Sequence, residues 1–428
     1  MEMQIQTRRT LATMDDRFFY CGAGVAIQHM PIDDIAGLLE EAETADFTHV
    51  WIVPATELSA MFKEPVKRLE GWDIVSIPGY LSARREGARY EDSIQIGFTE
   101  WSRWPWKVSS STAKGLLQTI TYLENALQMP VEWTPAHMAM AYVRRENEKR
   151  WSWLSPMTLD LEEKGFSYAD DIARELHWPP KGIAPIATPG ATHEISIDGN
   201  SAYASGMTGL NIGEGNPVWT DDFLEIILIY DGKTPGIWRL SSCEKIESIF
   251  DGVSLPEFKL QWATTDMIEQ LRKSGYGIGI EAGWHWGSEP GKKPGKKPRY
   301  HQMLRSTAEK LWKLRVEWRA AAGKSPAHES GHESLRAIIK AIHGRFGRPK
   351  NTDPHEKRRD IWAFVVARSV AMTAYRIEKI YKLYGILPKK IKADELRYDV
   401  SDPHIFDSML DIDKLGGFKL VDCVEIAK

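Results

Sequence analysis

Asp198 closes a short alternating run, Ile195-Ser-Ile-Asp198, and is followed at once by small polar residues that include Ser201, Ala202 and Tyr203. Ile195 and Ile197 share one face of a strand in this reading, and the carboxylate stands where the strand stops. The residues beyond it open a helix or a tight turn whose backbone N–H groups can hold an anion. A hard carboxylate beside a nest of amides is the arrangement that handling a nucleoside triphosphate requires. Arg336 and Lys340 lie four apart, hence on one face of a helix. Two cations there suit a triphosphate, although the pair alone equally describes a solvated basic face. Asp394 lies within Lys390-Ile-Lys-Ala-Asp-Glu-Leu-Arg-Tyr-Asp399, which reads as one strand with Asp394 on the face opposite Ala393 and Glu395. Two further patterns bear on function. A tandem Gly-Lys-Lys-Pro brings Lys292, Lys293, Lys296 and Lys297 into a basic loop that can meet a phosphate backbone. His328-Glu329-Ser-Gly-His332 spells HExxH. Gly331 and Pro326 place it in a loop, whereas a zinc protease needs both imidazoles on one helix face.

Elements that would position these groups follow from periodicity. Residues 1–185 alternate strands and helices, with strands at Phe18–Ala26, His49–Val53, Asp73–Ile77 and Ser93–Phe98. One helical stripe joins Ile32, Ile35, Leu38 and Leu39, and another joins Leu116, Ile120, Leu123 and Leu127. The Trp- and Pro-rich segment Arg150–Pro189 reads as a connector. Strands are expected at Leu224–Tyr230, Gly236–Leu240, Phe258–Thr265 and Gly277–Trp286. Helices are expected at Tyr300–Ala322, carrying Arg315, at Ser334–Phe346, and at Glu356–Tyr384, which Gly385 ends.

Composition narrows the class. A chain of 428 residues holds two to three domains. A net charge of −4 means that any nucleic-acid contact must come from local basic patches. Seventeen Trp and a 43% hydrophobic content point to packed cores; Trp284 and Trp286, beside the basic loop, are candidates to stack on bases. The odd count of three cysteines, with no CxxC, speaks against a disulfide framework or a thiolate zinc site. No signal peptide and no membrane-length apolar run is present, so a cytoplasmic protein without a membrane partner is expected.

Taken in order, three of these stretches resemble the palm and fingers motifs of family B DNA polymerases. Asp198, Ser201, Tyr203 and Ser205 match the first motif, Asp-x-x-Ser-Leu-Tyr-Pro-Ser, with Ala202 and Ala204 replacing Leu and Pro. Gly344, Arg345 and Phe346 match the end of the second, with Arg336 for its phosphate-binding Lys, His343 for its Tyr, and Lys340 and Ala341 for Asn and Ser. In the third motif Asp394 takes the place of the second, metal-binding Asp and Lys392 that of the first; the alternative register leaves Leu396 at the metal. The resemblance implies an α/β and α+β chain in four parts. Residues 1–189 would be an RNase H-like exonuclease counterpart, 190–299 the first part of the palm, 300–350 a helical fingers hairpin, and 351–428 the second part of the palm with the thumb absent. The exonuclease part would be inactive, since its candidate first strand, Phe18 to Ile27, carries no acid. The resemblance further implies Mg²⁺ or Mn²⁺ held by Asp198 and Asp394, and a dNTP contacted by Ser201, Ala202, Tyr203, Arg336, Lys340 and His343. A DNA or RNA primer–template would lie on Gly344, Arg345, Arg315 and the basic loop, with a protein partner in place of the thumb. A specialised enzyme from a mobile element or defence system fits this outline. A catalytically inactive polymerase fold that binds nucleic acid or a protein is the competing reading, and an HExxH protease a remote third.

Overall fold

The computed structural model describes residues 11–14, 18–21, 25–28, 34–53, 69–77, 80–89, 92–98, 106, 112–132, 134–148, 157–168, 177–178, 188–199, 201–245, 261–273, 275–287, 300–322, 326–347 and 354–426. The strands in chain order are β1 (Leu11–Met14), β2 (Phe18–Cys21), β3 (Val25–Gln28), β4 (His49–Ile52), β5 (Trp72–Ile77), β6 (Tyr80–Arg85), β7 (Ile94–Phe98), β8 (His177–Trp178) and β9 (His193–Gly199). They continue with β10 (Ile212–Gly213), β11 (Val218–Thr220), β12 (Gly236–Lys245), β13 (Trp262–Thr264), β14 (Tyr276–His285), β15 (Tyr300–His301), β16 (Lys390–Lys392), β17 (Glu395–Val400) and β18 (Phe418–Glu425). The helices are α1 (Ile35–Thr44), α2 (Ala113–Leu127), α3 (Pro135–Glu146), α4 (Ala202–Thr208), α5 (Phe223–Ile229), α6 (Thr265–Lys273), α7 (Met303–Ala321), α8 (Pro326–Phe346) and α9 (Arg359–Tyr384). No helix among the described residues is long and apolar enough to cross a membrane. Two compact units form, Met1–Tyr142 with Lys313–Ala341, and Val143–Trp312 with Ile342–Lys428.

The first unit is built on a mixed seven-stranded sheet of order β3-β2-β1-β4-β7-β6-β5. β1, β4 and β7 run parallel, while the flanks β1-β2-β3 and β5-β6-β7 are antiparallel. All four residues of β4 are buried, as expected for a central parallel strand covered on both faces. Asp34 caps α1 by accepting from the Gly37 N–H at 2.8 Å, and the helix buries Ile35, Leu38, Leu39 and Ala42. These pack with Met14, Phe19, Val50, Ile52 and Ile96 in one core. Thr112 caps α2 in the same way, and Leu116, Ile120, Leu123 and Leu127 form its buried stripe.

Residues Phe18–Ala26, expected as one strand, form a hairpin instead, with Cys21 opposite Val25. Among the described residues the first strand is β1, Leu-Ala-Thr-Met, which precedes the run Phe18–Ile27; Asp15 and Asp16, just after β1, lie outside the described residues.

In the second unit a five-stranded antiparallel sheet, order β18-β9-β17-β16-β8, has β17 at its centre and β9 between β17 and the edge strand β18. A four-stranded sheet, order β11-β14-β12-β13, is packed with tryptophan. Trp238, Trp262, Trp284 and Trp286 are all buried in it, and the Trp286 indole donates to the Gly215 carbonyl at 2.8 Å. Trp284 and Trp286 are thus core residues and not stacking platforms for bases. The 26-residue α9 is buried along most of its length and ends at Gly385, whose φ of 69° is the left-handed cap a helix stop favours.

Two further expectations give way here. Leu224–Tyr230 is the helix α5, because Asp222 accepts from the Leu224 and Glu225 N–H groups and that cap overrides the β-branched composition. Lys390–Asp399 is a hairpin, β16 and β17 joined at Ala393-Asp394, in place of one strand. Much of the connector Arg150–Pro189 and part of the expected strand Phe258–Thr265 lie outside the described residues.

His285, on β14, is fully buried, stacked parallel to Trp238, and accepts from the Gly287 N–H at 3.1 Å. Burial pushes its imidazole down to about 4. A depressed folded value means that its contribution is complete above the ordinary histidine pKa, and is lost as pH falls from about 6.5 toward 4. Urea titrations at several pH values are expected to show a loss of about 3 kcal/mol across that window, and His285→Asn is expected to flatten it.

Candidate active site

β9 carries Asp198 within the five-stranded sheet, with Glu395 of β17 opposite it on one side and Lys419 of β18 on the other. The β16–β17 turn then brings Asp394 to the same end of β9, where the Gly199 N–H donates to the Asp394 carbonyl at 3.3 Å. The Asp394 carboxyl lies within hydrogen-bonding reach of Asp198. Burial, and then the Asp198 charge, push the Asp394 carboxyl up to about 7. Two carboxyls forced together in a half-buried place share a proton when nothing else bridges them.

Local backbone supports this meeting. Among the described residues only four that are not glycine have positive φ, and two of them flank the carboxyls: Ser201 (50°) and Ala393 (57°). Such conformations cost on the order of 1 kcal/mol each and persist where the surroundings impose them. Here the short path from β9 into α4 and the two-residue turn after β16 impose them.

Two cations complete the centre, and neither was singled out from the sequence. Lys419 Nζ is 2.7 Å from Asp198 Oδ2. Arg376, on the buried face of α9, donates to the Gly416 carbonyl, lies over the Phe418 ring, and interacts with Asp394 and Asp198. Gly199 leaves room for the Arg376 guanidinium, since a Cβ there would collide with it. Gly416, with φ of 75°, passes so close to Ser205 that a side chain would clash. A signal for Arg376 existed: it falls on the stripe Val365, Ser369, Met372, where a buried arginine needs an acidic partner.

Tyr203 projects from α4 and stacks on His343, with ring centroids 4.0 Å apart and 23° between planes. α4 is held to α9 by the Ser369 hydroxyl, which donates to the Ala202 carbonyl at 3.1 Å. A small cavity lined by Tyr203, Ala393, Asp394, Val366, Ser369 and Thr373 opens beside the carboxyls. Asp198, Asp394, Ser201, Ala202, Tyr203 and His343 are therefore gathered in the second unit.

The remaining candidates are placed differently. Arg336 and Lys340 lie on α8 in the first unit, where Arg336 pairs with Glu333 at 3.5 Å. Arg315 is buried, its guanidinium lowered to about 10 by that burial and by Arg336, so it is not a surface contact for nucleic acid. Arg345 is tied to Glu356 at 2.5 Å, a carboxylate that Arg144 also engages, and it serves the fold. Gly344 faces open space. Lys292, Lys293, Lys296 and Lys297 lie outside the described residues.

HExxH is helical, contrary to the loop expected, because α8 begins at Pro326. A zinc site is nonetheless disfavoured. The His328 Nε2 is bonded to the Tyr122 hydroxyl at 2.9 Å, and His332 is lowered by burial and by the charges of Arg315, Arg319 and Arg336. A dication would meet the same repulsion.

Asp198 and Asp394 suit a hard ion of the magnesium type, which takes one or two protein carboxylates and completes its shell with water and substrate phosphate oxygens. Among the described residues no group of three or more acids, histidines or cysteines is placed to hold an ion by itself. Glu395 is paired with Arg397 at 2.8 Å, and Asp399 with Lys389 at 2.5 Å. The two remaining acids on β17 are thus engaged in ion pairs.

No protein-family model and no curated protein matches this sequence. Solved structures do match. Phi29 DNA polymerase with primer–template DNA and incoming nucleotides aligns over 98% of this chain and 85% of its own, at 10% identity and a TM-score of 0.58. The same polymerase in its post-translocation binary complex with primer–template DNA aligns over 97% and 84%, at 10% identity and 0.54. Its complex with single-stranded DNA aligns over 97% and 84%, at 11% identity and 0.53.

The raised Asp394 group also makes the centre's pH behaviour testable. A carboxyl whose folded value lies above its unfolded one contributes stability below about 4 that is lost as pH rises through about 7. In chelator-treated protein, this centre is expected to cost on the order of 3 kcal/mol between pH 4 and pH 8. Asp394→Asn is expected to remove that slope in denaturant titrations.

Proposed function

We propose that this chain, which has the fold of Phi29 DNA polymerase, transfers nucleotides from dNTPs to a primer end on a nucleic-acid template, with Asp198 and Asp394 as its catalytic carboxylates. The reading rests above all on one observation: the Asp394 carboxyl lies against Asp198 at one end of β9. Sheet order supports the finer division. In the first unit, an antiparallel β3-β2-β1 flank leading into parallel β1, β4 and β7 is consistent with an RNase H-like domain. The five-stranded sheet with α9 is consistent with a palm, and α7 with α8 with fingers.

Phosphoryl transfer asks the protein for positioning and charge more than for covalent chemistry. Bound at Asp198 and Asp394, Mg²⁺ or Mn²⁺ supplies Lewis acidity toward the primer oxygen and the leaving pyrophosphate. The carboxylates fix where that charge sits, and Arg376, locked beneath Gly199, keeps the two strands carrying them in register. Tyr203, held flat by its stack on His343, offers a rigid wall for the sugar of the incoming nucleotide. Template and primer are DNA in this reading.

A second reading is a polymerase fold that binds nucleic acid without catalysis, and the Lys419 ammonium seated on Asp198 favours it. Extension of a labelled primer on a DNA template, in Mg²⁺ and in Mn²⁺, separates the two. The proposed function expects extension that Asp198→Asn and Asp394→Asn each reduce by ~100-fold or more, with DNA binding retained. DNA binding without extension in either metal would establish the second reading.

A further inference from the structure

Lys419 is a member of the carboxylate centre in its own right, by register as well as by distance. It stands directly opposite Asp198 across the β9–β18 ladder, and a bulge between Leu420 and Asp422 breaks the pairing immediately beyond it. A bulge resets which face a strand's side chains take, so the first turn of β18 is aimed independently of the rest. The result is an ammonium 2.7 Å from Asp198 Oδ2, with the lysine side chain 29% exposed and the aspartate 21%.

The cations at the centre offset the acids. Asp198 and Asp394 bring two negative charges when both are ionised and one while they share a proton; Lys419 and Arg376 bring two positive ones. A free dication therefore meets a centre with no net negative charge, and it gains a net attraction only when a cation leaves. The two cations differ in their freedom to do so. Arg376 is 7% exposed, donates to the Gly416 carbonyl and fills the space under Gly199, so its departure would leave a buried gap. Lys419 ends a flexible four-carbon stem at the surface and can swing into water at little cost.

We propose that Lys419 is the resident cation of this site: its ammonium occupies the place on Asp198 that a divalent ion must take, and the ion binds by exchange with it. The inference rests on the proposed role of Asp198 and Asp394 as ion ligands. In the exchange the Lys419–Asp198 contact breaks, the ion–Asp198 contact forms, the ammonium passes to solvent still protonated, and any proton shared by the two carboxyls is released to water. The centre is thereby kept closed to free divalent ions while remaining available to an ion that arrives with its own negative charge, such as a metal–triphosphate complex.

The test is equilibrium binding of Mn²⁺ alone to the full chain, without nucleotide or DNA, read from the free-Mn²⁺ resonance signal and from calorimetry. Lys419→Met and Lys419→Gln are each expected to bind Mn²⁺ about tenfold tighter than the wild type, the screened effect of removing one adjacent charge. Lys419→Arg, which keeps the charge, is expected to stay at the wild-type affinity, and adding Asp198→Asn to Lys419→Met is expected to abolish the gain. Unchanged or weaker Mn²⁺ binding in both neutral variants, with Asp198-dependent binding in the wild type, would overturn the exchange while leaving the ion site intact. Failure of Mn²⁺ to bind through Asp198 in any variant would overturn both the exchange and the ion-ligand reading.

Discussion

Two carboxyls brought against each other are the constraint around which the second unit is organised. Like charges at hydrogen-bonding distance repel strongly in a half-buried place, and left alone the β16–β17 turn would relax away from β9. Three things oppose that relaxation. Backbone hydrogen bonds of the central strands hold Asp198 between β17 and β18. The Gly199 N–H ties the turn to β9 through the Asp394 carbonyl. Arg376 supplies positive charge from below, where water does not screen it.

Placing a guanidinium under a sheet carries its own requirement. Arg376 needs a carbonyl to donate to, a surface for its stem, and space at the strand above. Gly416, Phe418 and Gly199 meet those needs in turn. Both glycines are explained by the arginine and the turn geometry, without appeal to flexibility. α9 is then anchored at its start by Arg358 and Asp360, a fully buried pair whose arginine also donates to the Gly213 carbonyl at 2.8 Å. Removing one partner of such a buried pair is costly, because it leaves an uncompensated buried charge.

The history of individual residues shows which physical signals reach the sequence. Stripes such as Leu116, Ile120, Leu123 and Leu127 were legible because helical periodicity is local and burial follows it. α5 departs from the strand its β-branched composition suggests because a single side chain, Asp222, decides its conformation. HExxH was misplaced because Gly331 suggests a break, yet Trp318 packs against that glycine and the helix runs through. Trp284 and Trp286 stand near a basic loop in sequence yet are buried, because sequence proximity says nothing about which way a side chain faces.

What the sequence by itself determined was the inventory and its order: an acid at a strand end, small polar residues after it, a long helix, and a second acid near the chain's last strands. Those are local facts, carried by alternation, caps and turn residues; the polymerase-like plan was implied by the resemblance of three motifs in their order. Only the tertiary structure decided that Asp394 sits in a turn beside Asp198, that Lys419 faces Asp198 across a ladder, and that Arg376 reaches both from another layer. Each of those depends on strand register and helix packing between residues far apart in the chain. A shift of one residue in strand register would have turned the same side chains to the opposite face of the sheet.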